Sequence, residues 1–326
     1  MKRISQRRSL SISPPLAAVL LAIVLFLLSG LLPNGYGSNV SVAIAQATNI
    51  TRLSVFLGVI AAGETLVIIS GGEGIDLSLG AIVTLSAIIT YVLVNGQNSM
   101  VIPGLLAALA VGTVIGLING IGIAFLRIAP LVMTLGMSGV ISGLILVTQH
   151  GNVSGKVAPI MTRLIARPLI LGIPGAIIIW IIFAVLIWLL LERTTYGKNL
   201  FAIGSNRTTA RLSGVNVTGM VLATYSLAGL LAGLGGFLVV GNTGVVFIRL
   251  GDPFLFPAIA AVAVGGTLLS GGKGTYFGTM AGALVLTLIT SLLTTMQMGD
   301  SVRQMVLGST LLILVSIYGR QRGFRQ

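Results

Sequence analysis

The chain has 326 residues, 55% hydrophobic and 8% charged, with no cysteine, one histidine and a formal charge of +13. A mean hydropathy of +1.07 means more apolar surface than one water-soluble core can hide, so the sequence reads as an integral membrane protein. Composition excludes a disulfide framework and a Cys/His or multi-histidine metal site. The basic residues flank apolar runs, so they report topology rather than nucleic-acid binding.

Apolar runs near the roughly 20 helical residues that cross hydrocarbon recur at 16–32, 53–70, 78–95, 101–126, 129–148, 169–191, 215–241, 257–270, 276–297 and 302–319. They are continuous rather than alternating, which marks helices and not barrel strands. The expected fold is an all-α integral membrane bundle of about ten transmembrane helices, in one domain over 16–319. A basic N-terminus (1–15) and a basic tail (320–326) flank it. The first run, after "MKRISQRRSL", reads as a permanent signal anchor or as a cleavable signal ending near Ala43–Ala45. Gly112, Gly116 and Gly120 form a spacing-four stripe, and Gly139/Gly143, Gly229/Gly233 and Gly278/Gly282 repeat it. Such stripes let membrane helices approach closely.

Lys2, Arg3, Arg7, Arg8, Arg127, Arg193, Lys198, Arg207, Arg211, Lys273, Arg320, Arg322 and Arg325 fall on one side of these spans. The other side holds Arg52, Lys156, Arg163, Arg167, Arg249 and Arg303. The positive-inside tendency then makes both termini cytoplasmic.

Between the second and third spans lies "SGGEGIDLSLGA", Ser70–Ala81. Its glycines suit a tight turn. Asp76 is placed to cap the third helix through the amide of Ser78 or Leu79, or to act in gating. Two hundred residues on, "SGGKG" begins at Ser270 with the same turn chemistry, and Lys273 is a candidate partner for Glu73. Within the spans, Glu64, Asn119, Thr134 and Ser138 are the polar residues that matter. A charge there is expensive unless it faces protein or water. Each therefore lines a polar path or gate, or is satisfied by packing.

The segment Glu192–Val217 is the longest internal cytoplasmic connection. Ser205 or Asn206 can N-cap two helical turns over "RTTARLS", and Gly214 can take the left-handed C-cap position. On the other side, 149–168 and 241–253 are long loops. Their Arg163, Arg167 and Arg249 either meet acidic patches of an external partner or anchor solvated loops. "GGTLLSGGKGT" (Gly265–Thr275) fails the spacing of a phosphate-binding loop, and no Ser/His/Asp constellation is present. Any nucleotide hydrolysis has to come from another polypeptide.

Three stretches resemble the membrane subunits of ribose-type monosaccharide ATP-binding cassette (ABC) importers: "GETLVIISGGEGIDLSLGA" (Gly63–Ala81), "GLINGIGIAFLRIAPLVMTLGM" (Gly116–Met137) and "YGKNLFAIGSNRTTARLSGVNV" (Tyr196–Val217). The resemblance covers residues 16 to 320. It implies a type II importer bundle: two permease subunits, identical or related, around a central path, with cytoplasmic ABC ATPases and an external or periplasmic sugar-binding protein. The location implied is the bacterial cytoplasmic (inner) membrane, multi-pass. No cofactor belongs to this chain, since ATP and Mg²⁺ would sit on the ATPases. The coupling loop would be 192–214, and Gly204, Ser205, Asn206, Arg207, Ala210, Arg211, Leu212, Ser213 and Gly214 would dock in an ATPase cleft. The cargo would be a sugar or sugar-like solute. The competing reading is an ion-coupled secondary transporter of a small polar solute with Glu64 and Asp76 as proton sites.

Overall fold

A computed structural model describes residues 13–32, 35–37, 39–149, 153–170 and 172–320. The basic residues of the extreme N-terminus and of 321–326, and His150, lie outside the described residues. The elements run α1 (Pro14–Leu31), α2 (Val40–Ile69), α3 (Leu79–Val94), a 3-10 turn (Asn98–Met100), α4 (Val101–Ala124), α5 (Pro130–Gln149) and α6 (Pro159–Ala166). A small antiparallel hairpin, β1 (Pro168–Ile170) and β2 (Ile173–Pro174), follows. Then come α7 (Gly175–Arg193), α8 (Thr195–Ser205), α9 (Arg207–Leu212), α10 (Val217–Thr243), α11 (Asp252–Val264), α12 (Tyr276–Thr295) and α13 (Asp300–Arg320).

Every expected span contains a helix. Among the described residues, α1, α2, α4, α5, α7, α10 and α12 are long and apolar enough to cross a membrane, whereas α3 and α11 are apolar but shorter. Three spans differ from the sequence reading by more than two residues, among them the seventh, where the hairpin occupies 168–174 and the helix begins at Gly175 rather than residue 169. The second helix begins at Val40 rather than residue 53, because Asn39 accepts the amide of Val42 at 3.2 Å and starts the helix early. The eighth expected span, 257–270, is instead the thirteen-residue α11, about 20 Å long at 1.5 Å per residue.

The chain covers the missing half-crossing with the irregular stretch 244–251, whose second half is turn. Along it exposure alternates: Val245, Phe247 and Arg249 face out, while Val246, Ile248 and Leu250 pack inward, although from Phe247 on the backbone is turn, with the Leu250 amide on the Phe247 carbonyl at 3.1 Å and Arg249 at φ 78°. The stretch is pinned where the Gly251 amide donates to Thr84 Oγ1 of α3 at 2.9 Å.

Helix α2 is the bundle's axis: from Ser54 to Ile69 every residue is buried, against α10, α12, α11 and α7. Helices α4 and α10 run antiparallel in glycine-mediated contact. A methyl on Gly112 would strike the Gly229 carbonyl, and one on Gly116 the Tyr225 carbonyl. Gly278 and Gly282 bring α12 equally close to Gly265 and Ala261. The expectation for Gly139 and Gly143 fails within this subunit, where no atom lies within 4 Å of where their side chains would begin. The reason is position, since α5 sits at the periphery and packs mainly on α3 and α4. Buried polar groups are paired across helices: Trp180 Nε1 donates to Tyr276 Oη (2.9 Å), which donates to the Gly58 carbonyl (3.0 Å).

Candidate coupling and gating site

The α2–α3 connector gathers most of the polar residues singled out in the spans. After the Ser70 C-cap, Gly71, Gly72 and Glu73 take φ of 69°, 66° and 60°, a left-handed run that glycine adopts without a Cβ penalty. This turns the chain back into the bundle, so that the buried Asp76 amide points at the Glu64 carboxylate, 3.3 and 3.4 Å from its two oxygens. Asp76 Oδ1 accepts from the Ser78 amide (2.9 Å) and hydroxyl (2.6 Å). The expected bond to the Ser78 amide is made, but Ser78 is itself the N-cap residue and no side chain caps the first-turn amides of α3, so Asp76 fixes the turn before the helix rather than capping it. Asn119 Nδ2 of α4 donates to Ser78 Oγ at 2.9 Å. Thr134 Oγ1 of α5 accepts the Leu77 amide at 3.0 Å and gives its own proton to the carbonyl of Pro130 (2.9 Å) or Ile75 (3.3 Å).

Glu64, Asp76, Asn119 and Thr134 are thus one node, in which α2, α4 and α5 hold successive peptides of the connector. Ser138, one turn further along α5, is half-buried and outside it. Burial pushes the Asp76 carboxyl up to about 6, against the lowering effect of its Ser78 hydrogen bonds. Tyr225 of α10 completes the node and was not singled out in the sequence. Its buried hydroxyl lies within electrostatic reach of Asp76 and Glu64. Its Oη, Asp76 Oδ2 and Asn119 Oδ1 have no hydrogen-bond partner among the described residues.

Below the node sits the coupling segment, built from two short helices rather than one. Thr194 caps α8 by accepting the Gly197 amide at 3.2 Å, and Leu200 and Ile203 anchor it in the core. Tyr196 of α8 bonds Thr224 of α10 at 3.1 Å, and burial pushes its phenol up to about 12. Asn206 breaks the helix with extended backbone (φ −162°) and caps α9 by accepting the Thr209 amide at 3.0 Å. Gly214 takes the expected left-handed position, φ 86°, with its amide on the Arg211 carbonyl at 3.0 Å.

The residues assigned to docking divide by orientation. Ser205, Asn206, Arg211, Leu212, Ser213 and Gly214 are exposed, Leu212 by 85%. Ala210 is buried, and Arg207 turns inward to donate to the Gly71 carbonyl at 3.1 Å. Gly204 lies in a junction of backbones: a methyl there would strike the Ile69 carbonyl, and one on Gly271 would strike Gly71. Gly272 donates to the Ile69 carbonyl at 3.0 Å. The two similar "SGG" turns, two hundred residues apart, therefore meet against the coupling helix. Glu73 and Lys273 are exposed, and no ion pair joins them among the described residues. Beside the junction, Arg127, Arg207 and Arg211 line a cleft of about 320 Å³ between α4, α5, α9 and α10.

At the opposite end, Arg163 and Arg167 are exposed on and just after α6. Arg52 braces that end, donating to the Ala166 carbonyl (3.4 Å) and Asn242 Oδ1 (3.3 Å). Arg249 is elsewhere, in the turn before α11 with left-handed backbone (φ 78°), and is paired with Asp252 at 2.5 Å.

The site thus joins buried polar connectors, close glycine crossings and an exposed pair of short helices between α7 and α10, and comparison with known proteins gives the class, a membrane permease subunit. Residues 46–315 match the family described as branched-chain amino acid transport system / permease component, and the chain belongs to that family. It is 36% identical over 269 residues to the ribose import permease protein RbsC of Bacillus subtilis (strain 168), covering 82% of each chain. It is 30% identical over 308 residues to the autoinducer 2 import system permease protein LsrC of Shigella flexneri, covering 94% of this chain and 87% of that one. It is 30% identical over 300 residues to the galactose/methyl galactoside import permease protein MglC of Haemophilus influenzae, with 85% and 89% covered. No solved structure matches the chain. The permease is of the ABC importer kind, and the ion-coupled alternative is set aside.

Proposed function

We propose that this chain passes a sugar or sugar-like solute through the bacterial cytoplasmic membrane. An external binding protein delivers the solute, and separate ABC ATPases supply the energy. Two permease subunits, each with both termini cytoplasmic, enclose the path. Support comes from the relatives named for ribose, galactose and autoinducer 2 import, and from one structural observation: an exposed coupling segment joined by backbone contact to the connectors of the transport helices.

Arg211 and Leu212 offer a cation and an apolar side chain to an ATPase surface, while Gly204, Arg207 and Ala210 work on the inner side. Motion of α8 and α9 is passed at Gly204 to Gly71 and Gly272, since no side chain intervenes to absorb it. From Gly71 it continues along the connector to the Glu64–Asp76–Asn119–Thr134 node, which links α2, α4 and α5 and serves as the gate. Arg163 and Arg167, at the far end, face the binding protein.

The test is Arg211→Glu with Leu212→Asp in the complete transporter. Loss of ATPase co-purification and of ATP-driven uptake supports the assignment, and retention of both contradicts it.

A further inference from the structure

Arg249 and Asp252 form an ion pair, and its place in the fold is unusual. Two independent measures give its depth. Helix α11 begins at Asp252 and ends against the first turn of α12, where Gly265 packs on Gly278 near the junction with Ile69 and Gly204. It therefore rises about 20 Å from the coupling end. The preceding helix α10, of twenty-seven residues, rises about 40 Å and ends beside Asn242, where Arg52 is bonded. Helix α3 bounds the depth from below: Gly251 packs against Gly80 and donates to Thr84 at 2.9 Å, the second and sixth residues of that helix, so it lies above the start of α3 and the buried node. Asp252 stands about halfway through the bundle.

At that depth the side chains of Arg249 and Asp252 are 80% and 43% exposed in the single subunit. Ionised groups facing hydrocarbon at mid-bilayer are strongly disfavoured. The face that carries them therefore meets water or protein. Phe247, two residues before Arg249 at the start of the same turn, and Phe256, one turn after Asp252, are also exposed, by 53% and 56%. Irregular backbone at membrane depth is tolerated where it lines a water-filled cavity, and the stretch 244–251 is such backbone.

We propose that Phe247, Arg249, Asp252 and Phe256 line the translocation path at mid-depth and form a transient site for a neutral polyhydroxylated solute. The proposal rests on the importer reading above and assigns Arg249 to the path, apart from Arg163 and Arg167. A guanidinium offers several fixed donors and a carboxylate only acceptors, so side by side they pair with neighbouring hydroxyls that both donate and accept. The pair has no net charge, which suits an uncharged sugar better than a phosphorylated one. The phenyl faces offer apolar surface to the ring C–H groups, in the manner of small-molecule sites with apolar walls and few placed polar groups.

The chain has no cysteine, so single cysteines report directly. In proteoliposomes holding the permease with its ATPase and binding protein, Phe247→Cys reacts with a membrane-impermeant thiol reagent. Leu186→Cys, on the exposed apolar face of α7, does not. An unreactive Phe247→Cys in a correctly assembled complex overturns the proposal, placing the face against lipid or the second subunit.

Uptake of D-ribose and D-galactose then tests the contact. Asp252→Asn lowers it about tenfold, the scale of one charged hydrogen bond. The exchange Arg249→Asp with Asp252→Arg keeps the pair but does not restore uptake. Full uptake by the exchanged protein, or unchanged uptake with Asp252→Asn, reduces the pair to a structural brace and overturns the proposal. Failure of the importer reading itself looks different: the unsubstituted complex shows no ATP-driven uptake of any solute, while the labelling still reports whether the face is wet.

Discussion

Glu64, on the fully buried α2, accepts the backbone amide of Asp76, twelve residues later, at 3.3 Å. One carboxylate thereby closes the α2–α3 connector on itself. Removing that acceptor leaves a buried amide without a partner, which costs about 1–3 kcal/mol. Glu64→Ala is therefore expected to lower the melting temperature of the detergent-solubilised permease clearly. Glu64→Gln, which retains a carbonyl acceptor, should lower it much less. Equal losses would mean that the side chain contributes bulk rather than a hydrogen bond.

Asp76 gives the node a pH dependence. Its carboxyl is pushed up to about 6 in the folded chain, against 3.8 ordinarily. Between about pH 4 and about 6 the folded state holds a proton that the unfolded state has released. Its contribution to stability is full below this window and falls as pH rises through it. The ionisable groups facing Asp76 are Glu64 and Tyr225. Melting curves across the window should show the decline in the parent protein and a flatter profile for Asp76→Asn.

Glycine contacts separate essential crossings from bare faces. Gly112→Ala forces α4 and α10 apart, because the new methyl meets the Gly229 carbonyl, and overpacking of this kind costs about 1–3 kcal/mol. Gly139→Ala, with no atom within 4 Å, should leave the isolated subunit's stability unchanged. If the two behave alike in thermal unfolding, the α4–α10 crossing is looser than described.

The coupling route predicts uncoupling without loss of docking. Gly271→Ala would push on Gly71 while leaving the exposed Arg211–Gly214 surface intact. ATPase co-purification should persist, and ATP-driven uptake should fall severalfold. Normal uptake would show that motion does not pass through this junction.

Much of the fold was legible because membrane spans announce themselves by apolar length, and caps by local chemistry. Asn206, Gly214 and the Asp76–Ser78 contact all involve residues within a few positions of each other. The early start of α2 was hidden because Gln46, Asn49, Thr51 and Arg52 interrupt its apolar run. The shortness of α11 was hidden because "VVFIRLGDPFLF" is as apolar in its irregular part as in its helix. The node joins residues 12, 41 and 57 positions apart, a separation at which side-chain type says what a residue can bond but not with whom. The meeting of Gly71 with Gly271 was foreshadowed only by their similar turns. Convergent local geometry alone accounts for that likeness, and only the packing of α2 against α12 brings the two together.

The most direct test is solute accumulation in proteoliposomes, with this permease alone and with its ATPase and binding protein, using D-ribose and D-galactose as probes. The account predicts accumulation only when ATP, the ATPase and the binding protein are all present, and its loss with Arg211→Glu and Leu212→Asp. Accumulation by the permease alone, driven by a proton or sodium gradient, would contradict it.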